Sequence, residues 1–451
     1  MSANPAAPSP VDYLVRARWI VPVEPEGAVL EDHAVAVGAG RIVAVEPWSA
    51  LRPRHPEAAV IERPRHVLIP GLVNAHTHAA MTLLRGLADD LPLMTWLQEH
   101  IWPAEARWVG EAFVHDGTLH AVAEMLRGGV TCFNDMYFFP EVTARVAAEA
   151  GLRAVVGLIV IDFPSAWARN ADEYLAKGLE LHDAWRNHPL IRTALAPHAP
   201  YTVADAALER VRVLADELEI PVHIHVHETA EEVARAVAET GERPLARLDR
   251  LGLVSPALLA VHATQLTPAE IARLADAGAH VVHCPESNLK LASGFCPVQA
   301  LAEAGVGLAL GTDGAASNND LDLLGEMRTA ALLAKAVAGR ADALPAARVL
   351  AAATLGGARA LGLEAEIGSL VPGKAADLVA VDLGAPETQP VYDVISQLVY
   401  AAGREQVTDV WVAGRPLLRD RVLLTVDEEA ILVRSAQWAR RIAAPPGEAA
   451  P

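Results

Sequence analysis

Short apolar runs recur through the middle of the chain, and eight of them end in or beside histidine or acidic residues. Such runs are typical of buried parallel strands, and patterns typical of helices lie between them. Polar residues at the carboxyl ends of successive strands form the active site of a (β/α)8 barrel. We therefore predict this barrel. Its eight strands are expected within Leu72–His78, Val130–Phe138, Val155–Asp162, Ile191–His198, Val222–Glu228, Leu259–Gln265, His280–Glu286 and Val306–Asp313.

The two ends of the chain carry a different pattern, in which apolar and polar residues alternate. Tyr13–Trp48 shows this alternation, with turn signals at 25–27 and 38–40, and it returns in Gly368–Leu383 and Val407–Leu424. Alternation between turn signals predicts antiparallel strands. Because both ends share the pattern, we predict one small β-sandwich built from both of them, with the barrel inserted between.

A chain of 451 residues is long enough for one barrel and a smaller domain. The predicted fold class is α/β, a (β/α)8 TIM-like barrel with a small β-sandwich domain. A helix is expected over 426–441, and the Ala/Pro/Gly-rich end after it is expected to be disordered. The predicted segments are 11–66 for the N-terminal part of the sandwich, 67–366 for the barrel, 367–425 for the C-terminal part of the sandwich and 426–451 for the C-terminal helix and tail.

The composition limits the kinds of molecule that this protein is expected to bind. The net charge of −19 argues against a nucleic-acid backbone, but not against a nucleoside, which carries no phosphate. No apolar stretch is long enough to span a membrane, and the N-terminus lacks the features of a secretory signal, so we expect a cytoplasmic protein. Cys132, Cys284 and Cys296 form no disulfide pattern and are expected to be small buried apolar residues.

The first candidate metal ligands are His76 and His78, which follow an apolar run. Residues two apart in a strand point the same way, so both imidazoles can face one ion at the mouth of the barrel. His223, His225 and His227 share one face of the fifth strand, and spacing alone does not choose among them. We favour His225 as the ligand because Glu228 follows three residues later, where its carboxylate can lie beside the ion.

Asp313 closes the eighth predicted strand, at the same barrel level as the histidines. An Asp before Gly is also an ordinary turn residue, but this position favours a ligand. Three imidazoles and one carboxylate suit Zn²⁺, with a position left for water. His262, near the end of the sixth strand, could be a fourth imidazole ligand or could hold the water.

Several longer stretches, in this order, resemble the amidohydrolase superfamily, and more closely its branch of 5′-methylthioadenosine/S-adenosylhomocysteine deaminases (TRZ/ATZ-like hydrolases). The resemblance extends from the first sandwich strands to about residue 425. Its stretches are PGLVNAHTHAAMTLLRG (70–86), DDLPLMTWL (89–97), TCFNDMYF (131–138), PHAPYT (197–202), HIHVHET (223–229), SNLKLASG (287–294) and GTDGAASNNDLDLLGEMR (311–328).

The resemblance implies that the four candidate ligands, His76, His78, His225 and Asp313, hold one divalent ion, which we expect to be Zn²⁺. Superfamily members with two ions carry a bridging lysine at the fourth strand. Here that strand ends in Ala196-Pro197-His198, and the lysines lie elsewhere, so a single ion is expected.

The resemblance also implies roles in deamination. Glu228 matches the acid that protonates the purine ring, and His262 matches the histidine that orients the hydrolytic water. Asp313 can take a proton from that water, and Glu228 can pass its proton to the leaving amine. Glu105 matches a carboxylate that holds the two ribose hydroxyls, and His198 matches a histidine that contacts the nucleoside.

Other residues are placed near the substrate by the resemblance alone. Trp96 would otherwise be interpreted as a core aromatic, and Ser317 and Asn318 as loop formers. Arg169 could pair with the carboxylate of S-adenosylhomocysteine or could be a surface arginine. Phe163 and Trp167, in the same loop as Arg169, could instead cover a thiomethyl group.

We therefore predict deamination of an adenine nucleoside, with 5′-methylthioadenosine preferred over adenosine and S-adenosylhomocysteine. A homo-oligomer is expected, with no nucleic-acid or membrane partner. One alternative keeps the barrel but acts on guanine or a triazine, and Glu105 argues against it because only a ribosyl substrate gives that carboxylate a partner. Another alternative, a non-catalytic scaffold, conflicts with the complete set of candidate ligands.

Overall fold

The computed structural model describes residues 11–444, and the predicted disordered end lies outside them. The alternating pattern near the N-terminus forms strands whose apolar side chains are buried. Gly40 lies in the turn after the strand His33–Gly38 with φ +76, and a Cβ there would lie 2.6 Å from the backbone oxygen of Ala413, so glycine is required. These strands are β1 (Tyr13–Ile20), β2 (Leu30–Glu31), β3 (His33–Gly38), β4 (Arg41–Pro47) and β5 (Ala59–Pro70).

The eight apolar runs form the eight strands of a parallel sheet in which chain order equals spatial order. The prediction of a (β/α)8 barrel is confirmed. Most of these strand residues are buried, as expected for strands covered on both faces. The strands are β6 (Leu72–Thr77), β7 (Val130–Asp135), β8 (Arg153–Val160), β9 (Ile191–Pro197), β10 (Val222–Val226), β11 (Leu258–His262), β12 (His280–His283) and β13 (Gly307–Leu310).

The barrel closes between its first and last strands, just beyond the end of β13. Asp313 N donates to His76 O at 3.1 Å, and Thr312 N donates to Asn74 Oδ1 at 3.0 Å. The Asn74 Nδ2 group also donates to Thr312 Oγ1 at 2.8 Å. Closure therefore brings the first two candidate ligands beside the last one, although they are more than 230 residues apart in sequence.

The C-terminal alternating segments join the N-terminal strands in a second, mixed sheet, which confirms the predicted sandwich built from both ends. The sheet order is β17-β16-β15-β14-β5-β1-β3-β4, with β2 paired to β1. Val67–Pro70 pairs with β1 and β14 in this sheet, so the barrel strands begin at Leu72 rather than at residue 67. The added strands are β14 (Leu378–Asp382), β15 (Val407–Val412), β16 (Arg415–Arg419) and β17 (Val422–Leu423).

A buried ion pair ties the two sheets together. Arg153, at the start of β8, donates from Nε to Asp377 Oδ2 at 3.1 Å, and Asp377 Oδ1 accepts the Ala413 backbone N–H at 2.7 Å. Both side chains are almost fully buried, so each charge depends on the other for its partner. The mixed sheet is thereby held at the amino-terminal end of the barrel, opposite the candidate ligands.

Helices follow the strands and cover the outside of the barrel. No helix within residues 11–444 combines the length and the apolar character needed to cross a bilayer. All three cysteines are buried and free, as predicted. The α-helices are α1 (Trp48–Arg54), α2 (Leu93–Trp96), α3 (Trp102–Trp108), α4 (Glu111–Arg127), α5 (Pro140–Ala150), α6 (Ala171–Trp185), α7 (Asp205–Leu218), α8 (Ala230–Thr240), α9 (Pro244–Arg250), α10 (Pro268–Ala277), α11 (Pro285–Lys290), α12 (Val298–Ala304), α13 (Ala315–Asn318), α14 (Leu323–Ala338), α15 (Ala346–Ala351), α16 (Gly357–Ala360), α17 (Val394–Tyr400) and α18 (Glu428–Ala443).

Candidate active site

Four side chains from the carboxyl ends of β6, β10 and β13 converge at the mouth of the barrel. They are His76, His78, His225 and Asp313, and one potential ligand atom from each lies within 4.8 Å of the others. His76 Nε2 is 3.2 Å from both Asp313 Oδ1 and His225 Nε2, and His78 Nε2 is 3.2 Å from Asp313 Oδ1. The structure thus brings together the four ligands that the sequence predicts.

Hydrogen bonds on the far side of two rings set which nitrogen faces the centre. His78 Nδ1 lies 2.5 Å from Met136 O, and His225 Nδ1 lies 2.7 Å from His198 O. A carbonyl oxygen only accepts, so each Nδ1 carries a hydrogen and each Nε2 is the nitrogen that faces the centre. His76 Nδ1 meets His223 Nε2 at 2.8 Å, which leaves His76 Nε2 facing the same centre.

This donor set fits a divalent cation. Three imidazole nitrogens and a carboxylate oxygen face one another at short range, so all four can bind one shared cation. Three nitrogens and one oxygen, with a position left open, are a set that Zn²⁺ prefers. The buried hydroxyls of Ser287 and Ser317 lie 2.6 and 3.0 Å from Asp313 Oδ2 and hold the carboxylate in place.

Two further predicted residues lie beside the ligand set rather than in it. His262 Nε2 is 3.9 Å from Glu228 Oε2, and His262 Nδ1 lies 2.9 Å from Asn288 Oδ1. The His262 ring stacks on His225 with centroids 5.4 Å apart. Burial raises the pKa of Glu228 above its usual range, against an opposing effect of His262, so the protonated acid is favoured.

Glu105 enters the site from α3, on the other side of the cavity. Its Oε1 accepts a hydrogen bond from Tyr137 Oη at 2.8 Å. Desolvation by the surrounding side chains raises the pKa of Glu105 to about 7, although the Tyr137 bond acts in the opposite direction. A carboxylate in this position has a fixed orientation and one oxygen still available to a ligand.

A cavity of about 430 Å³ connects these groups. Trp96, His198 and Ser317 line it together with the ligand set, Glu105, Glu228 and His262. Burial, together with the positive character of neighbouring rings, lowers the pKa of His198 to about 3, so its imidazole is neutral. Among the described residues that line the cavity there is no lysine and no arginine.

The structure does not bring Arg169 to this cavity. The side chain of Arg169 is 83% exposed, and its Nε donates to Glu173 Oε2 at 2.7 Å. The two residues are four apart at the start of α6, where a local ion pair forms readily. Residues 163–166 of the same loop do line the cavity.

Four residues support these side chains, and three of them, Tyr137, Ser287 and Asn288, were not singled out in the sequence. His223 orients His76, Tyr137 orients Glu105, Ser287 holds Asp313, and Asn288 meets His262. All four lie in quoted stretches of resemblance, Tyr137 in 131–138, His223 in 223–229 and the Ser287-Asn288 pair in 287–294. Their position in those stretches could have identified them as residues of the site. Their hydrogen-bond partners lie in distant segments and could not be read from the sequence.

Comparison with known proteins shows the family. The sequence profile of the Amidohydrolase family matches residues 67–417, and residues 34–58 match an imidazolonepropionase-like composite domain of bacteria. A curated protein of Teredinibacter turnerae is 51% identical over 96% of this chain and 98% of its own length. It is named 5-methylthioadenosine/S-adenosylhomocysteine deaminase. The chain belongs to the amidohydrolase family.

Solved structures agree with the fold. The crystal structure of an adenosine deaminase from Xanthomonas campestris with bound zinc has a TM-score of 0.95 and 63% identity, covering 97% of this chain and 99% of its own. An atrazine chlorohydrolase from Arthrobacter aurescens TC1, complexed with zinc, has a TM-score of 0.88 at 24% identity. It covers 95% of this chain and 100% of its own, and at this identity the likeness concerns the fold alone.

Elemental analysis tests the metal site directly. The purified chain should hold about one divalent ion, most of it zinc, because four ligand atoms converge on one centre. His225→Asn should lose this ion, whereas His280→Asn should keep it, since His280 lies at the opposite end of a barrel strand. Two tightly bound ions per chain, or an unchanged content in His225→Asn, would contradict the single site.

Proposed function

We propose that this chain catalyses the hydrolytic deamination of adenine nucleosides, with 5′-methylthioadenosine as the preferred substrate and 5′-methylthioinosine and ammonia as products. Adenosine and S-adenosylhomocysteine are proposed as weaker substrates. The observation that carries the proposal is one cavity that joins a metal-ligand set, the buried Glu228 and, across from them, the Glu105 carboxylate. The names of the Teredinibacter and Xanthomonas relatives support the same chemistry.

His76, His78, His225 and Asp313 would hold the ion. When bound, zinc supplies Lewis acidity, which makes water a competent nucleophile near neutral pH. The remaining chemistry belongs to side chains. Asp313 accepts a proton as water attacks C6, and His262 orients that water by accepting a hydrogen bond from it at its inward nitrogen.

Glu228 supplies the proton that the purine ring needs. Attack at C6 places negative charge on N1, and a protonated carboxyl beside it neutralises that charge as it forms. The C6–N bond then breaks, and a proton returned through Glu228 leaves with the amine as ammonia. Burial favours the protonated form of Glu228 before substrate binds, which is the form this step requires.

Glu105 gives the site its preference for a ribosyl substrate. Its carboxylate, oriented by Tyr137, can accept hydrogen bonds from the 2′ and 3′ hydroxyls. A free purine base or a triazine offers no such partner. For this reason we do not favour a guanine deaminase or a triazine hydrolase, although both occur on this fold.

The cavity lining supports a small uncharged group at the 5′ position. Apolar side chains, among them Trp102, Ile161 and Phe163, form part of its wall and can cover a methylthio group. The carboxylate of S-adenosylhomocysteine would find no lysine or arginine among the described lining residues.

The proposal gives Arg169 no role. A cytoplasmic location and a homo-oligomer remain predictions from the sequence.

A substrate panel tests the proposed function. Ammonia release should be fastest with 5′-methylthioadenosine, slower with adenosine and slowest among the nucleosides with S-adenosylhomocysteine, because only the last brings a carboxylate to a cavity whose described lining has acidic residues but no lysine or arginine. Guanine and a chlorotriazine should not react. Turnover of guanine or the triazine without nucleoside deamination would refute the proposal, and equal kcat/KM for the two thioethers would refute the order.

Substitution of Glu228 separates proton transfer from metal binding. Glu228→Gln should retain the metal ion, because Glu228 is outside the ligand set. It should lose about 10²–10⁴-fold in kcat, the usual contribution of a general acid–base group. Elemental analysis and steady-state kinetics provide the two readouts. Normal turnover, or loss of the ion, would show that Glu228 has another role.

Substitution of Glu105 tests ribose recognition. Glu105→Ala removes hydrogen bonds to a charged group worth roughly 1.5–3 kcal/mol each. Its kcat/KM should fall more for adenosine than for 2′-deoxyadenosine, because the deoxy substrate already lacks one of the two hydroxyls. Glu99→Ala, at an exposed position on the preceding helical turn, is the matched control and should leave both values unchanged. Equal losses for both substrates would mean that Glu105 supports structure only.

A further inference from the structure

The short turn between β10 and α8 carries Glu228, and its backbone is unusual. β10 ends at Val226 and α8 begins at Ala230, so only three residues connect them. His227, the first of the three, adopts a left-handed conformation with φ +55, which is uncommon for a residue with a side chain. A turn of this kind keeps its shape only when the surrounding structure supports it.

Glu232 supplies that support from within α8. Its Oε1 accepts the His227 backbone N–H at 3.1 Å, and its Oε2 accepts the Glu228 backbone N–H at 2.7 Å. The side chain is buried, so both oxygens are committed to the turn rather than to solvent. Glu232 therefore binds the backbone of the proposed acid itself.

This arrangement departs from what the local sequence predicts. Thr229 caps α8 by accepting the Glu232 N–H, and a Thr with Glu three residues later normally forms a capping box in which the Glu accepts the Thr N–H. Thr267 and Glu270 form that standard box at the start of α10. In α8 the Glu232 carboxylate instead accepts the N–H groups of the two residues before the cap. Helix capping alone therefore does not explain the position of this carboxylate.

Thr264 holds the turn from the opposite side. Its Oγ1 donates to Glu228 O at 2.7 Å, and its backbone N–H donates to His227 O at 2.9 Å. The peptide groups on either side of Glu228 are thus fixed by Glu232 and Thr264 together. The side chain of Glu228 is left to point into the cavity, 3.9 Å from His262.

We propose that Glu232 is a positioning residue for deamination, which fixes the His227–Glu228 backbone so that the Glu228 carboxyl meets the ring nitrogen of the substrate. The inference rests on the proposed function, because it assumes that Glu228 is the acid. The metal set does not depend on Glu232, since His225 lies inside β10 and is held there by the ladder to Val261 of β11. Glu232 therefore acts on the proton-transfer step rather than on metal binding.

Glu232→Gln is the test with the smallest change in shape. The amide oxygen can accept one of the two N–H groups, but the amide NH₂ then faces the other, so the turn must shift. We expect kcat for 5′-methylthioadenosine to fall about 10–100-fold, the usual effect of losing a group that supports an active-site residue. The KM should change by less than about three-fold and the metal content should not change.

Glu231→Gln is the matched control. Glu231 lies in the same first turn of α8 and its substitution removes the same charge, but its side chain is exposed and the turn does not use it. Its kcat and metal content should equal those of the unmodified chain. A similar fall in kcat for Glu231→Gln would assign the effect to charge and overturn the positioning role.

A double-mutant cycle separates positioning from general support of the fold. If Glu232 acts through Glu228, Glu232→Gln should cost less than about two-fold in kcat when Glu228→Gln is already present. Equal losses in both backgrounds would overturn the proposal. Full activity of Glu228→Gln would instead refute the proposed acid, and an inactive Glu228→Gln beside a fully active Glu232→Gln would refute only the inference about Glu232.

Thr264→Val gives a second route if Glu232→Gln does not fold. It removes the hydroxyl bond to Glu228 O and leaves the carboxylate bonds of Glu232 in place. It should lower kcat in the unmodified chain, keep the metal ion and again have little further effect when Glu228→Gln is present. A Thr264→Val chain that keeps full kcat, or loses equally in both backgrounds, would count against a positioned turn.

Discussion

The inward direction of the histidine Nε2 atoms is the constraint on which the rest of the site depends. Met136 O and His198 O each accept from an Nδ1 group, and this turns the Nε2 atoms of His78 and His225 toward the common centre. Asp313 completes the set with a carboxylate held by buried hydroxyls. Backbone carbonyls cannot change their role as acceptors, so the fold sets the orientation of both rings before any ion binds.

Barrel closure makes this constraint possible. The bonds from Asp313 N to His76 O and from Thr312 N to Asn74 Oδ1 join the first barrel strand to the segment after the last one. The same contacts bring the ligands of β6 beside the ligand after β13. The Arg153–Asp377 pair holds the mixed sheet at the opposite end of the barrel. The sheet therefore leaves the mouth of the barrel open to a substrate.

The backbone at the mouth is held in conformations that local sequence does not favour. His227, His262 and Asp313 all have positive φ and each ends or follows a barrel strand. Such conformations cost of order 1–3 kcal/mol each and persist only where neighbouring contacts enforce them. The bonds from Glu232 and Thr264 to the His227–Glu228 backbone are one clear example of that enforcement.

Much of this protein is readable from its sequence, because strand burial and residue chemistry are local properties. Continuous apolar runs marked the eight barrel strands, and alternation marked the sandwich strands at both ends. His76 and His78 were identified by strand periodicity, and the resemblance carried Glu105, which periodicity alone would have left as a solvated helix carboxylate. The choice of His225 over His223 and His227 rested on its spacing from Glu228 and on the resemblance.

Tertiary structure decided what each of those residues touches. His223 meets His76 and His227 accepts the Leu245 N–H, so only His225 is left to face the ion. The sequence allowed Arg169 to bind a substrate carboxylate, but in the structure its side chain is exposed and pairs with Glu173. Sequence determined the strands and the chemical character of the site, since both follow from neighbouring residues, but hydrogen-bond partners come from distant strands and exist only once the barrel has closed.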